Sequence, residues 1–407
     1  MILHNGAVYT MDPRLPRVSA LAVAGGQVAG GVDVREGDAD TVGHERIDLE
    51  GRCVLPGFTD AHVHFLEWSL ARLQLDLRGC GSKAEALRRV AGAGGEGWLR
   101  GRGWEPVRWP DGPPSAADLD AVTGERPAAL WSQDGHTLWL NSAALATAPA
   151  AGGGILREND AFAFPLPDPE PLERSRAVRA GMAEANARGV VAVHDFQRAG
   201  GRGLWQRLDA DRRLHLRVHM VVPVERLGAA AALELRAGFG SELVRIGPVK
   251  VFMDGALGSG TAWMLDGSGD ALVSAGELAE IARDAAAGGL AVAVHAIGDG
   301  AVREALDGLE AARDAWEQVP VAPRIEHAQC VDDADLPRFA ELGVTASVQP
   351  SHAMDDRDLA DRAWGARAAA AYRWRDLLDA GADLAFGSDA PVAELDPLAG
   401  IQAAVHR

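Results

Sequence analysis

The pattern of apolar and polar residues divides the chain near residue 54. Before it, Ile2–Thr10, Ala20–Val28 and Arg46–Val54 alternate or carry β-branched residues, and Gly25-Gly26 marks a hairpin turn. No helical period is visible there, so residues 1–54 are expected to form a small β module. Beyond it, short apolar runs recur, each closing on polar or charged residues. They are Cys53–Thr59, Val190–His194, Leu216–Val222, Val249–Met253, Leu290–His295, Arg324–His327, Thr345–Gln349 and Leu384–Gly387. Near-continuous apolar runs suit strands covered on both faces, as in a parallel sheet.

Helical patterns lie between the runs. Ser274-Ala-Gly-Glu277 is a capping box opening a helix that stops at Gly288-Gly289. Val302, Leu306, Leu309 and Trp316 share one face of a helix over Ala301–Trp316, and Arg367–Ala380 before Gly381 forms another. Eight strands alternating with helices predict an α/β fold, a (β/α)8 TIM-type barrel spanning 55–407. A doubly wound sheet is the rival, but it usually shows a Gly-rich phosphate turn after its first strand, and none is present. Residues 78–188 form a long insertion between barrel strands 1 and 2, with strand-like pieces at Trp98–Trp104 and Ala128–Gln133. Long additions to βα loops sit at the mouth of such a barrel, so the insertion is expected to cover it. The chain stops at Arg407, inside the helix expected after strand 8, which suggests a truncated C-terminus.

Composition narrows the class. The 407 residues are 47% apolar and 24% charged, as in ordinary globular chains, and the net charge of −18 argues against a nucleic-acid surface. Three cysteines without metal spacing fit a reducing compartment. With no basic n-region, no long apolar h-region and no apolar run near 18 residues, a cytoplasmic protein without a membrane partner is expected.

The chemistry gathers at the strand ends. Leu55–Phe65, LPGFTDAHVHF, carries His62-Val63-His64 behind Asp60. Alternate residues of a strand share a face, so the two imidazoles would aim at one point. Strand 2 ends in His194-Asp195, strand 4 carries Lys250 and ends in Asp254, strand 5 ends in His295, strand 6 in Glu326-His327, strand 7 in Gln349 and strand 8 in Ser388-Asp389. Taken singly, each has a plain structural reading: His327 as an interior histidine, Asp389 as a helix N-cap, Lys250 as a strand lysine reaching solvent. Together, several imidazoles and a carboxylate converging on one barrel mouth suit Zn²⁺ or a similar divalent ion.

The set HVH…K…H…H…D on successive strands resembles the amidohydrolase superfamily of metal-dependent hydrolases. The phrases VKVFMDGALGSGTA, VHAIGD, RIEHAQ, QPSH, GSDAPV, GWEPVRWPDGPPSAADLD and DGHTLWLNSAAL are similar to one branch of it, which includes N-substituted formamide deformylases. The resemblance covers nearly the whole chain. It implies one or two divalent ions, His62 and His64 with Asp389 on the more buried one, and His295 and His327 on a second. It places Lys250 where the family uses a bridging lysine, often carbamylated; carbamylation turns an ammonium that cannot coordinate into a group with two donor oxygens. Asp389 would be both ligand and general base. The implied function is hydrolysis of a non-peptide C–N bond, amide or formamide-like, in a small molecule by a metal-activated water. The chain departs from the family in two places: a C-terminal segment that normally completes the N-terminal β module is missing, and GGGILRENDAFAFPLPDPE is shortened.

Substrate contacts are expected from the insertion. Six of the eleven Trp fall between Trp68 and Trp139. Trp104, Trp109, Trp131 and Trp139 either line an apolar pocket or build the insertion's own core. Trp104, Trp131 and His136 are candidate substrate contacts, and His194 is either a contact or a support behind the metal ligands. The alternatives are a deaminase or a lactone or ester hydrolase on the same scaffold, or a non-catalytic or fragmentary homologue. The expected partner is a small-molecule substrate, and a homo-oligomer is compatible with the sequence.

Overall fold

A computed structural model describes residues 1–32, 45–105, 109–148, 153–169, 171–197 and 201–406. Contacts divide the chain into Met1–Phe58 and Thr59–Arg407.

The first unit holds two small sheets. One has the order Gln27–Val32, Ala20–Ala24, Ile2–His4, Arg46–Asp48, and the other Arg17–Val18, Ala7–Tyr9, Cys53–Val54. Ala24 pairs with Gln27 across Gly25 and Gly26, whose φ of +58° and +76° suit the primed turns of a two-residue hairpin. The run expected over Ile2–Thr10 is two strands. Asn5 at φ +58° breaks it, and Gly6 passes so close to Arg52 O that a Cβ would stand 2.5 Å from it. Val8, Val18 and Leu49 form the core of this unit.

The second unit is built on eight parallel strands: β1 (Phe58–Val63), β2 (Val190–Asp195), β3 (Arg217–Pro223), β4 (Val244–Phe252), β5 (Val292–Ala296), β6 (Arg324–His327), β7 (Thr345–Val348) and β8 (Leu384–Phe386). They neighbour one another in chain order, and a parallel bridge from Val63 to Ala390 joins the first to the segment after the last. This is the (β/α)8 barrel. Val249, Val251, Val292, Val294, Ile325 and Ala346 pack with Leu278, Leu306 and Phe339 of the surrounding helices in one core.

The helix with the capping box runs Ala275–Ala287, with Ser274 and Glu277 bonded reciprocally. The helix expected over Ala301–Trp316 is Asp299–Ala311 followed by Arg313–Trp316, and Leu309 O accepts the Trp316 indole N–H. The helix expected over Arg367–Ala380 is corrected to a 3₁₀ segment, Gly365–Ala370, and a helix, Trp374–Asp379. Between them Tyr372, at φ +57°, donates its N–H to Gln329 O at 2.7 Å and its hydroxyl to Asp356 at 2.8 Å. Those long-range bonds override the helical propensity of an alanine-rich stretch.

Four strands of the insertion and Leu75–Asp76, just before it, form a five-stranded sheet in the order Ile155–Arg157, Thr137–Leu140, Ala128–Ser132, Leu99–Trp104, Leu75–Asp76. Trp104, Trp109 and Trp139 pack against one another with ring centroids 5.6 to 5.9 Å apart. Their indole N–H groups donate to Leu130 O, Cys80 O and Ser115 O, so this cluster builds the insertion's core.

Candidate metal centre

The first strand lies further along than its apolar run suggests: β1 begins at Phe58 and contains Asp60 and His62. His64 lies beyond its end, at the N-cap of the helix Phe65–Ala71, with φ −100° and ψ 74°. The two imidazoles therefore do not share a strand face, yet they still converge. His62 Nε2 and His64 Nε2 stand 3.6 and 3.4 Å from Asp389 Oδ1.

The backbone fixes this meeting. Asp389 N–H donates to His62 O at 2.7 Å, and His64 N–H to Ala390 O at 2.8 Å. The Asp60 carboxylate accepts from His62 N and Ser388 N, stitching β1 to the end of β8. Burial pushes the Asp60 carboxyl up to about 6 despite these bonds. Asp389 itself sits at φ +53° and His327 at +73°, the left-handed region that residues with side chains rarely adopt.

Three of the histidines, His62, His327 and His295, have a defined outer partner. His62 Nδ1 donates to Glu326 Oε2 at 2.6 Å, which leaves Nε2 with its lone pair toward Asp389. Glu326 is fully buried and paired with Arg324, whose guanidinium also donates to Ala61 O, Ser347 Oγ and His194 Nδ1. Burial would raise the Glu326 carboxyl, but Arg324 and His62 hold it well below the carboxylate range. The His62 ring stacks on Phe196 at 3.7 Å. His327 Nδ1 donates to Gln349 Oε1 at 2.9 Å, and His295 Nε2 to Gly255 O at 2.8 Å, with Asp254 3.5 Å away.

Electrostatics favours a cation. Burial, foremost, lowers His62 to about 4 and holds His295 and His327 well below the ordinary histidine value, so all three are neutral near pH 7. Burial would raise Asp389, but the imidazoles of His62, His64 and His327 hold it well below the carboxylate range. Neutral imidazoles around an ionised carboxylate are the donor set of a divalent transition metal. Among the described residues, Asp389 Oδ1, His64 Nδ1 and His352 Nε2 are buried atoms without a hydrogen-bond partner. The residues fit a divalent cation. Among the described residues, two groups offer ligand atoms within 4.8 Å of one another: His62, His64 and Asp389, and His327, His352 and Asp389. His295 and Lys250 fall in neither group. Lys250 is buried, its Nζ 4.8 and 4.7 Å from the ring centres of Phe196 and Phe252.

These residues line a cavity of about 570 Å³. His62, His64, Lys250, His295, His327, His352 and Asp389 all reach it, as do Trp104, Trp131 and His136 of the insertion. Trp104 is almost wholly buried in the insertion core, whereas Trp131 is partly exposed and packs on Phe162. His136 Nδ1 lies 2.7 Å from Glu158 Oε2. His194 does not line the cavity; it stacks on His219 and receives Arg324.

Residues 45–407 match the sequence profile of the amidohydrolase family. The chain belongs to the amidohydrolase family. It is 30% identical to Protein LONG AFTER FAR-RED 3 of Arabidopsis thaliana, over 100% of this chain and 78% of that one. It is 25% identical to the N-substituted formamide deformylase of Arthrobacter pascens, over 100% and 83%. Its fold superposes on the crystal structure of an uncharacterized metal-dependent hydrolase from Pyrococcus furiosus with a TM-score of 0.82, 30% identity and coverage of 100% and 88%.

For this amidohydrolase, strand-end reading located His62, His64, Lys250, His295, His327 and Asp389, all of which line one cavity. It assigned no role to Glu326 or His352. Glu326 was visible only as the neighbour of His327. His352 lies in the first turn of the helix Pro350–Trp364, one turn past a strand end, where the strand pattern carries no signal.

Proposed function

We propose that this amidohydrolase hydrolyses a non-peptide C–N bond, of amide or formamide type, in a small molecule. The observation that carries the reading is Asp389 Oδ1: buried, without a hydrogen-bond partner, and flanked by two histidine nitrogens at 3.4 and 3.6 Å. His62, His64 and Asp389 would hold a divalent cation, with Zn²⁺ the best match to two imidazoles and a carboxylate. When bound, such a cation brings the pKa of its water from about 15.7 towards about 7 and polarises a carbonyl oxygen.

The chain's own residues do the rest. The Asp389 carboxylate is ionised at neutral pH, so it can take a proton from the attacking water and pass it to the leaving nitrogen. Glu326 holds the His62 ring in one tautomer and one orientation. Trp131 and Phe162 offer apolar surface to the substrate, and His136, braced by Glu158, offers a polar contact. Lys250, in carbamylated form, would bridge two cations. The similarity to an N-substituted formamide deformylase supports N-formyl and N-acyl amines as the first substrates to try, and a cytoplasmic site of action completes the reading.

The test is turnover of purified enzyme on a panel of N-formyl amines, N-acyl amines, lactones and cyclic amidines, with bound metal counted. C–N hydrolysis of the amides is expected. Asp389→Asn should lower kcat by about 10²–10⁴-fold, a larger loss than its loss of metal. Near-normal turnover of that variant would remove Asp389 from proton transfer, and activity confined to lactones would redirect the substrate class.

A further inference from the structure

Arg102 carries a charge that plays no part in the hydrolysis proposed above. It lies on the insertion strand Leu99–Trp104, is partly buried and lines the cavity. Among the described residues its one hydrogen bond runs from Nη2 to Pro391 O at 2.9 Å, and no carboxylate forms an ion pair with it. The acids around it are engaged elsewhere. Asp76, its register neighbour, gives both oxygens to Arg78, and Glu67 accepts from Gln197. On the cavity wall, Glu158 is bonded to His136 and Thr261, and Asp356 to Tyr372 and Gln329. Burial, foremost, brings the Arg102 guanidinium down to about 10, so it is still charged at neutral pH.

A buried charge is ordinarily paired, and the forked N–H donors of a guanidinium match a carboxylate. A tie to the backbone after β8 does not need that fork. A neutral amide makes the neighbouring tie, from Gln133 Nε2 to Val392 O at 2.6 Å. Pro391 follows Asp389 by two residues, so Arg102 is fixed against the segment that carries the proposed base. An anion held there would lie beside the bond to be cut, not at the rim. Trp131 is the register neighbour of Arg102 on the adjoining parallel strand, lines the same cavity and stacks on Phe162. Charge and apolar surface thus stand side by side.

We propose that Arg102 is a specificity-determining residue that binds the carboxylate of an N-formyl or N-acyl amino acid, with Trp131 and Phe162 taking its apolar side chain. In such a substrate the carboxylate is attached to the carbon next to the amide nitrogen, which suits an anchor so near Asp389. The inference names the substrate class of the hydrolytic reading and rests on that reading for the bond that is cut.

The experiment uses the whole chain loaded with zinc and reads binding apart from turnover. The probes are N-methanesulfonylphenylalanine, which has no amide to hydrolyse, and N-methanesulfonylphenethylamine, the same molecule without its carboxylate. By calorimetry, wild type should bind the carboxylate about 10–100-fold more tightly. Arg102→Met should bring that ratio close to one, and Arg102→Lys, a cation without the fork, should restore part of it. Circular dichroism and zinc content check the fold, and Arg102→Gln, which keeps a donor for Pro391 O, replaces Arg102→Met if that variant does not fold. Wild-type crystals with the carboxylate probe should place its oxygens about 2.7–2.9 Å from Arg102 nitrogens. Equal affinities in wild type would overturn the proposal. So would a preference that survives removal of the guanidinium, with Lys250, Arg157 or the zinc holding the carboxylate instead. Hydrolysis of N-formyl amines with no carboxylate preference overturns this inference and leaves the hydrolytic reading standing. An Arg102-dependent preference without hydrolysis of any amide keeps Arg102 as the anion anchor and overturns the hydrolytic reading.

Discussion

Glu326 is a fully buried carboxylate whose two partners, His62 and Arg324, are themselves buried. Its charge is what orients the His62 ring, and it is also the only carboxylate paired with the Arg324 guanidinium among the described residues. Glu326→Gln keeps an acceptor oxygen but removes the charge. Zinc affinity is expected to fall by about 10–100-fold, and stability by about 3–5 kcal/mol because Arg324 is left buried without its counter-ion. Zinc titration and urea unfolding check the two effects separately, and unchanged affinity would mean that His62 does not depend on Glu326. His194 tests burial on the far side of the same arginine. Burial, then Arg324 and His219, lower it to about 3. An unfolded histidine takes its proton near 6.5, so between pH 6.5 and about 3 the unfolded chain binds more protons than the fold. The stability involved is complete above pH 6.5 and is lost as pH falls towards 3. Urea unfolding of the metal-free protein across that window should give His194→Gln a slope shallower by up to about 1.4 kcal/mol per pH unit. A slope equal to wild type would show that His194 protonates in the fold.

At the scale of elements, the seam between β1 and the end of β8 is where the centre is assembled. Gly387 has no side chain there for a steric reason: a Cβ would stand 2.5 Å from His62 N and 2.9 Å from His62 Cβ. Gly387→Ala must push β1 aside, at a cost of about 1–3 kcal/mol, and His62 moves with it. Thermal unfolding and zinc binding should therefore both weaken in this variant. A lower melting point with unaltered zinc affinity would separate the seam from the site. The same seam explains why β1 was misplaced by its apolar pattern. Thr59, Asp60 and His62 are polar because they serve the barrel mouth and its closure, so the strand that carries them does not look like a buried strand. The Ala275–Ala287 helix was legible because its capping box and its stop lie within its own residues. The broken segment over 365–379 was not, because Gln329 and Asp356 pin Tyr372 from elsewhere in the chain.

For the whole molecule, a resident cation couples the site to the barrel. A ligand bound only by the fold stabilises it by RT ln(1 + [L]/Kd), about 2.7 kcal/mol at a hundredfold excess over Kd. Chelation should thus lower the melting temperature and abolish hydrolysis together, and added Zn²⁺ should restore both. A midpoint indifferent to chelator and zinc would argue against a cation held by residues from β1, β6 and the end of β8. The cavity follows the same logic of whole-fold assembly. Trp104, Trp109 and Trp139 turn to one another because each indole N–H finds a carbonyl inside the insertion, and Trp131 is left on the cavity wall.

The sequence by itself determined the number and order of the barrel strands and the residue types at their ends, because strand period, helix caps and the polar closure of apolar runs are carried by neighbouring residues. Only the tertiary structure decided which nitrogen of His62, His295 and His327 is committed to an outer partner. It alone brought Glu326 to His62 across 264 residues, Arg324 to His194 across 130, and Asp60 to Ser388 across 328. It also turned His352, one helical turn past a strand end, toward Asp389. These contacts arise when the barrel closes on itself, and closure leaves no local pattern in the chain.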